Sequence, residues 1–195
     1  MTEKIYIIRH GLTETNKKKI YSGWSGEPLC EDGISSLLKI GNQLGKLNIE
    51  KIYSSPIRRA IQTAQILNKF INRTIVTEEK LKEMKMGPWE GLSEKEIAER
   101  FPQEWKTWNT KPSKLRLNKR ETLYDLQLRA INAIKKMANY SNCLKILAVT
   151  HVAIIRVLII KYNNLSIDNY KTIDVPNCSV FLLDIRGQKK MTRIL

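Results

Sequence analysis

Cysteine, histidine and long apolar stretches are all scarce in this chain, and each scarcity excludes something. Its three cysteines, Cys30, Cys143 and Cys178, stand far apart with no Cys-x-x-Cys pair, which argues against a disulfide framework and against a zinc site. The longest apolar stretch, Ile146 to Ile160, is 15 residues and contains His151 and Arg156, so it is too short and too polar to span a bilayer. The start of the chain has one short apolar run, Ile5 to Ile8, behind Met1-Thr2-Glu3-Lys4, and lacks the longer apolar core of a secretion signal. A cytoplasmic protein is expected. There is no Gly-x-Gly-x-x-Gly, no Gly-x-Ser-x-Gly and no His-x-x-x-His, and Gly41 to Lys46 is one residue short of a Walker A loop. Acidic residues are also under-represented: 34 Lys and Arg against 19 Asp and Glu leave a formal charge of +15, which favours anionic partners, whether nucleic acid, a membrane surface or phosphorylated small molecules.

What remains is the composition of an ordinary globular protein, 42% hydrophobic and 27% charged over 195 residues, enough for one domain with a true core. Ile5 to Ile8 and Ile146 to Val149 are continuous runs rich in β-branched residues, the pattern of strands buried on both faces. Ile52-Tyr53, Ile75-Val76 and Val180 to Leu183 read as further strands. Helical periodicity fills the gaps over Glu31 to Leu47, Pro56 to Phe70, Thr122 to Tyr140 and Val152 to Tyr162, with Ser54-Ser55 as the expected cap ahead of Pro56. Strands alternating with helices predict an α/β fold, a three-layer α/β/α sandwich around a mostly parallel central sheet. Residues 84–120 break the alternation, hold Trp89, Trp105 and Trp108 and carry a basic run from Lys111 to Arg120, and are expected to form a helical cap or lid on the single domain.

The only two histidines occupy matching positions. His10 follows the strand Ile5 to Ile8, and His151 follows Ile146 to Val149. Parallel strands share a carboxyl edge where ligands bind, so neighbouring strands would bring both imidazoles into one crevice. Without a third ligand or a short-spaced pair, nucleophilic chemistry suits them better than metal binding: a neutral imidazole nitrogen attacks phosphorus and becomes a phosphohistidine. The phosphoryl group then needs fixed positive charge, which Arg9 and the pair Arg58-Arg59 can offer at the same edge. A leaving alkoxide needs a carboxylic acid, for which Glu83 is the first choice and Glu14 and Glu90 are weaker candidates.

These same residues carry a family resemblance. Arg9-His10-Gly11-Leu12-Thr13-Glu14-Thr15-Asn16 resembles the Arg-His-Gly-Glu-Thr signature of the histidine phosphatase superfamily, the phosphoglycerate-mutase-like proteins. Ser54 to Ala64, Leu81 to Gly91 and Val149-Thr150-His151 are similar to the three later blocks of that family, in the same order. The resemblance implies that His10 is the phosphorylated nucleophile, that Arg9, Arg59 and His151 complete the phosphate pocket, and that Glu83 protonates the leaving group and then activates water. It also implies a substrate edge at Asn16 and Ser22-Gly23, with Arg58 and Val152 nearby, and no metal or cofactor. Two departures stand out: Val152-Ala153 follow His151 where the family has glycine, which is expected to narrow the pocket, and Arg120-Glu121-Thr122 replaces Gly-Glu-Ser, which is expected to alter only a turn.

The expected function is therefore a metal-independent phosphoric monoester hydrolase acting on a small phosphorylated metabolite. The chain looks like the phosphatase branch that includes alpha-ribazole phosphatases and broad-specificity phosphatases, with alpha-ribazole phosphate among the candidate substrates. A cofactor-dependent phosphoglycerate mutase is the alternative within the family. A noncatalytic basic protein that binds nucleic acid or a partner is the alternative of another class, although the basic run from Lys111 to Arg120 has no interleaved aromatic for base stacking. Membrane binding is not expected, and oligomeric state stays open.

Overall fold

The structure, a computed structural model, describes residues 2–140 and 142–195. Among the described residues, six strands form one sheet: β1 (Lys4–Arg9), β2 (Lys51–Ser54), β3 (Ile75–Thr77), β4 (Lys145–Thr150), β5 (Val180–Asp184) and β6 (Met191–Arg193), in the order β3-β2-β4-β1-β5-β6. The pairs β2–β3, β2–β4 and β1–β4 are parallel, and β5 and β6 extend the sheet in antiparallel fashion. The sheet is thus mostly parallel, as the βα alternation requires.

The pleat of β1 divides the core in two. Ile5 and Ile7 point into one apolar cluster and Tyr6 and Ile8 into the other, each buried. On the Tyr6/Ile8 side lie α2 (Glu31–Gly45) and α3 (Arg58–Ile71), which supply Leu37, Leu44, Ala60, Ala64 and Leu67. On the Ile5/Ile7 side lie α6 (Leu123–Tyr140) and α7 (Val152–Tyr162), supplying Leu126, Ala130, Ile134, Ile154 and Ile155 among others. Burying each such aliphatic side chain is worth about 1.5–3 kcal/mol, so both faces of every central strand are held. This is the three-layer α/β/α arrangement.

Several boundaries differ from the sequence reading for local reasons. Helix α3 begins at Arg58, not Pro56, and Ile57 stands at its cap position without a side-chain bond. Neither Ser54 nor Ser55 caps it; the Ser55 hydroxyl is engaged with His151 at 2.7 Å. A short helix α1 (Glu14–Lys17), capped by Thr13, follows the His10 loop, and its single turn is too brief for a periodic signal. Between β3 and α6 lie α4 (Glu94–Arg100) and α5 (Pro102–Thr110), the former started by a Ser93/Glu96 capping box. The tryptophans of this stretch do not face solvent as a platform: Trp89 is fully buried, with Tyr21, Trp105 and Trp108 edge-on around it at 5.9–6.1 Å.

The run from Lys111 to Arg120 is not one solvated basic face. Pro112, Ser113, Leu115 and Arg120 are buried, while Lys111, Lys114, Arg116 and Lys119 are exposed. The Arg120 guanidinium lies 4.9 Å from the Trp89 ring and 4.3 Å from the Trp108 ring, and burial lowers its pKa to about 10. No helix is long and apolar enough to cross a membrane, among the described residues.

Candidate active site

The strand register brings the two histidines together. In the parallel β1–β4 pair Arg9 aligns with Thr150, and the ladder runs one residue further, His10 N–H donating to the Thr150 carbonyl at 2.9 Å. His10 and His151 therefore leave the same edge of the sheet side by side, with ring centroids 5.1 Å apart. Both are buried, and His10 lines a cavity of about 500 Å³ together with Arg9, Arg59 and Glu83.

The hydrogen bonds assign the His10 tautomer. Its Nδ1 lies 2.7 Å from the Gly11 carbonyl, which can only accept, so Nδ1 carries the proton. Nε2 then holds a lone pair, and it accepts from Arg59 Nε at 3.1 Å. Burial, followed by the charges of Arg59 and Arg9, holds the His10 pKa well below 6.5, so the ring is neutral at physiological pH. The His10 loop is fixed from both sides. Gly11 N–H donates to Thr63 Oγ1, and Asn177 donates to the His10 carbonyl at 3.1 Å and to Asn16 at 2.9 Å. Helix α2 presses so closely on this loop that a Cβ on Gly33 would stand 2.3 Å from the Leu12 carbonyl oxygen, which only glycine permits.

His151 is oriented by Ser55. Ile57 N–H donates to the Ser55 oxygen, and the hydroxyl proton is best used toward His151 Nε2, which leaves the proton of His151 on Nδ1. That buried Nδ1 has no hydrogen-bond partner in the protein, and neither has buried Arg9 Nε. Burial is the main reason that the His151 pKa is depressed, and Arg59 adds to it. These two buried nitrogens have no acceptor within the protein and can donate to the oxygens of an anion. Arg9 is itself anchored, donating to the Val175 carbonyl at 2.7 Å.

Arg59, buried at 1% exposure, uses all five of its donors within the protein. Besides His10 these go to the carbonyls of Ser22, Gly23 and Ser25 and to the Glu27 carboxylate at 2.9 Å. The residue thus holds the 22–27 loop against the site while supplying a positive charge to it. Arg58, one residue earlier and about 100° around the helix, is exposed and does not line the cavity. The family resemblance had assigned Arg59 to the phosphate pocket and Arg58 only to the substrate edge, and of the two it is Arg59 that reaches His10.

Glu83 is buried as well, at 2% exposure. Its carboxyl accepts from Met84 N–H at 2.6 Å and lies 3.4 Å from Ala153 N–H. Burial raises its pKa above 4.5 despite the opposing effect of those N–H groups and of Arg59 and Arg9. The alternative acids sit elsewhere: Glu14 is exposed and pairs with Lys17, and Glu90 accepts from Gly23 N–H. The segment bearing Glu83 is pinned by Arg129, which donates to the Lys80 and Lys82 carbonyls at 2.8 Å and to the Glu83 carbonyl at 3.3 Å. Arg129 is held in turn by both oxygens of Glu121, at 2.8 and 2.7 Å. The Arg120-Glu121-Thr122 block therefore does more than alter a turn: Glu121 steadies the acid segment, and Arg120 fills the aromatic cluster.

Of the expected substrate-edge residues, Asn16, Ser22 and Val152 line the cavity, whereas Gly23 contributes its backbone to Arg59 and Glu90. Sequence reasoning missed Ser55, Glu27, Arg129 and Asn177, all polar partners whose roles depend on long-range contacts with no local signature. It also missed Tyr21, Trp108, Arg156, Tyr170 and Lys171, which line the same cavity. No group of three His, Cys, Asp or Glu that could hold a metal occurs among the described residues.

A family model described as histidine phosphatase superfamily (branch 1) matches residues 5–194. The chain belongs to this superfamily. Within it, the chain is 25% identical over 158 residues to adenosylcobalamin/alpha-ribazole phosphatase of Salmonella typhimurium, spanning 80% of this chain and 77% of that one. It is 21% identical over 188 residues to phosphoserine phosphatase 1 of Hydrogenobacter thermophilus, spanning 96% and 89%. Among solved structures, Bacillus stearothermophilus YhfR superposes with a TM-score of 0.90 at 25% identity, covering 98% of this histidine phosphatase superfamily member and 95% of that chain.

Proposed function

We propose that this protein is a metal-independent phosphomonoesterase that works through a phosphohistidine on His10, as a single domain capped by residues 84–120, on a small phosphorylated metabolite in the cytoplasm. The observation that carries the reading is the His10 ring: neutral, protonated at Nδ1, with its Nε2 lone pair facing Arg59 Nε–H, in a site where Arg9 Nε and His151 Nδ1 have no partner within the protein. Arg9 and His151 are the proposed phosphate ligands, and Arg59 is the proposed switch. When Nε2 attacks phosphorus its lone pair is consumed, so the Arg59 Nε–H that pointed at it is released to a phosphoryl oxygen.

The reaction then balances in two steps. In the first, a bond forms from Nε2 to phosphorus and the ester P–O bond breaks, while the protonated Glu83 carboxyl gives its proton to the departing alkoxide. The Nδ1–H bond to the Gly11 carbonyl steadies the phosphorylated ring. In the second, the Glu83 carboxylate takes a proton from water, the oxygen bonds to phosphorus, and the N–P bond breaks to return neutral His10 and phosphate. A carboxyl with a raised pKa suits both roles, as acid and then base. Asn16, Ser22 and Val152 are proposed to contact the substrate. Relatives named for phosphoserine and for alpha-ribazole support small phosphate esters as the substrate class.

The test is phosphate release in EDTA from p-nitrophenyl phosphate, O-phosphoserine, 3-phosphoglycerate and alpha-ribazole phosphate. Wild type should turn over at least one of them, and His10→Ala none. Activity of the variant within tenfold of wild type, or strong inhibition by EDTA, would overturn the reading; about tenfold is far less than a lost nucleophile should cost.

A further inference from the structure

The cavity that holds His10 is also lined by three further cations, Arg156, Lys171 and Lys19. Arg156 is out of character for its helix. Ala153, Ile154, Ile155, Val157, Leu158, Ile159 and Ile160 of α7 are all buried, and Arg156 is the helix's only charged side chain before the last turn. It lies one turn beyond Val152, on the face turned to the cavity. A guanidinium set into an apolar helix is costly unless something uses its charge.

Little within the protein does. Arg156 Nε donates to the Ile173 carbonyl at 2.9 Å, and the guanidinium stacks 5.2 Å from the Tyr170 ring. These contacts aim the group without neutralising it, and no carboxylate pairs with it among the described residues. Lys171 differs: burial lowers its pKa, and Glu94, which lines the same cavity, opposes that loss of charge. Arg9 hangs from the Val175 carbonyl just as Arg156 hangs from Ile173, so one short segment presents two like charges to one cavity. The two guanidiniums repel, and Arg156 helps depress Arg9. A ligand bearing two anionic groups relieves that conflict.

Building on the phosphatase reading, we propose that Arg156 is a specificity-determining residue: it binds a second anionic group, a carboxylate, carried by the phosphomonoester whose phosphoryl group His10 attacks. The planar fork of arginine matches a carboxylate with two parallel hydrogen bonds, which lysine cannot reproduce. The cavity of about 500 Å³ suits a phosphorylated small acid.

3-Phosphoglycerate and glycerol 3-phosphate share one carbon skeleton and differ in the carboxylate, so their ratio of kcat/KM isolates the contact. Wild type should favour 3-phosphoglycerate by about tenfold or more, as a charge-assisted pair of hydrogen bonds implies. Arg156→Met should reduce that preference to about threefold or less, and Arg156→Lys should fall between. Equal use of the two compounds by wild type, an undiminished preference in Arg156→Met, or a stronger preference for a three-carbon bisphosphate would each overturn the proposal. p-Nitrophenyl phosphate, which has no second anion, reports separately on the phosphatase reading. If wild type releases nothing from it, calorimetric Kd values for the two three-carbon compounds supply the same comparison: a gap abolished by Arg156→Met supports the contact, and no gap refutes it.

Discussion

Replacing Glu83 by glutamine removes a proton donor while leaving the shape of the site in place. The carboxyl is buried and accepts from Met84 N–H at 2.6 Å, a bond that the amide oxygen of glutamine retains. The perturbation is therefore chemical, and its size depends on the leaving group. An alkyl phosphate must expel an alkoxide, so loss of the acid should cut kcat/KM by about 10²–10³. A nitrophenolate leaves without a proton, so kcat/KM for p-nitrophenyl phosphate should drop by less than about tenfold. The distinction shows in kcat/KM because that quantity ends at departure of the leaving group. Glu83 also serves as the base for water, so kcat should fall for both substrates, and a burst of nitrophenol should precede slow turnover. The wild-type pH profile follows from the same group. Burial raises the Glu83 pKa, the protonated form is the active one, and kcat/KM for the alkyl ester should decline as pH rises through that value, while the glutamine variant stays flat. Equal losses of kcat/KM for the two esters would refute Glu83 as the acid.

Stability should carry the signature of the buried histidines. His10 and His151 have pKa values held below 6.5 in the folded state, so the unfolded chain binds more protons as pH falls. Their contribution is present above pH 6.5 and is lost on acidification, by up to about 1.4 kcal/mol per pH unit for each ring. Urea melts at pH 7.5 and 5.5 should show this loss, and His10→Gln should lessen it; an unchanged slope would contradict the buried neutral state. Ser55→Ala removes the one side-chain hydrogen bond that His151 makes among the described residues and should lower kcat/KM about tenfold with a stability change near 1–2 kcal/mol, measured by steady-state kinetics and denaturation. Arg120→Met trades two orphaned buried nitrogens and a desolvated charge against two cation–π contacts, and thermal unfolding should show stability held or raised by about 1 kcal/mol. A loss above about 3 kcal/mol would mean that the stacking dominates.

Local pattern sufficed for the layers of this protein and for the posts from which its chemistry is mounted. Ile5 to Ile8 and Ile146 to Val149 are uniformly apolar because their strands are covered on both faces, and a strand of that kind can be read from four residues. His10 and His151 follow such strands directly, so their meeting at one sheet edge required only that β1 and β4 be neighbours. Side-chain direction was not legible in the same way. Local pattern does not distinguish the identical neighbours Arg58 and Arg59, which only the family resemblance told apart, and the packing of α3 sends one to solvent and the other to His10. Ser55 looked like a helix cap until β4 placed His151 against it, and Arg120 read as the end of a basic run until Trp89 and Trp108 closed on it. Periodicity is a property of the backbone and is written locally. The residues themselves determined the strands, the helices and the pair of imidazoles that follow two of those strands. Only the tertiary structure decided what those imidazoles meet and which residues line the cavity, because bonds such as His151–Ser55 and Asn177–His10, 96 and 167 positions apart, form only after the sheet has assembled.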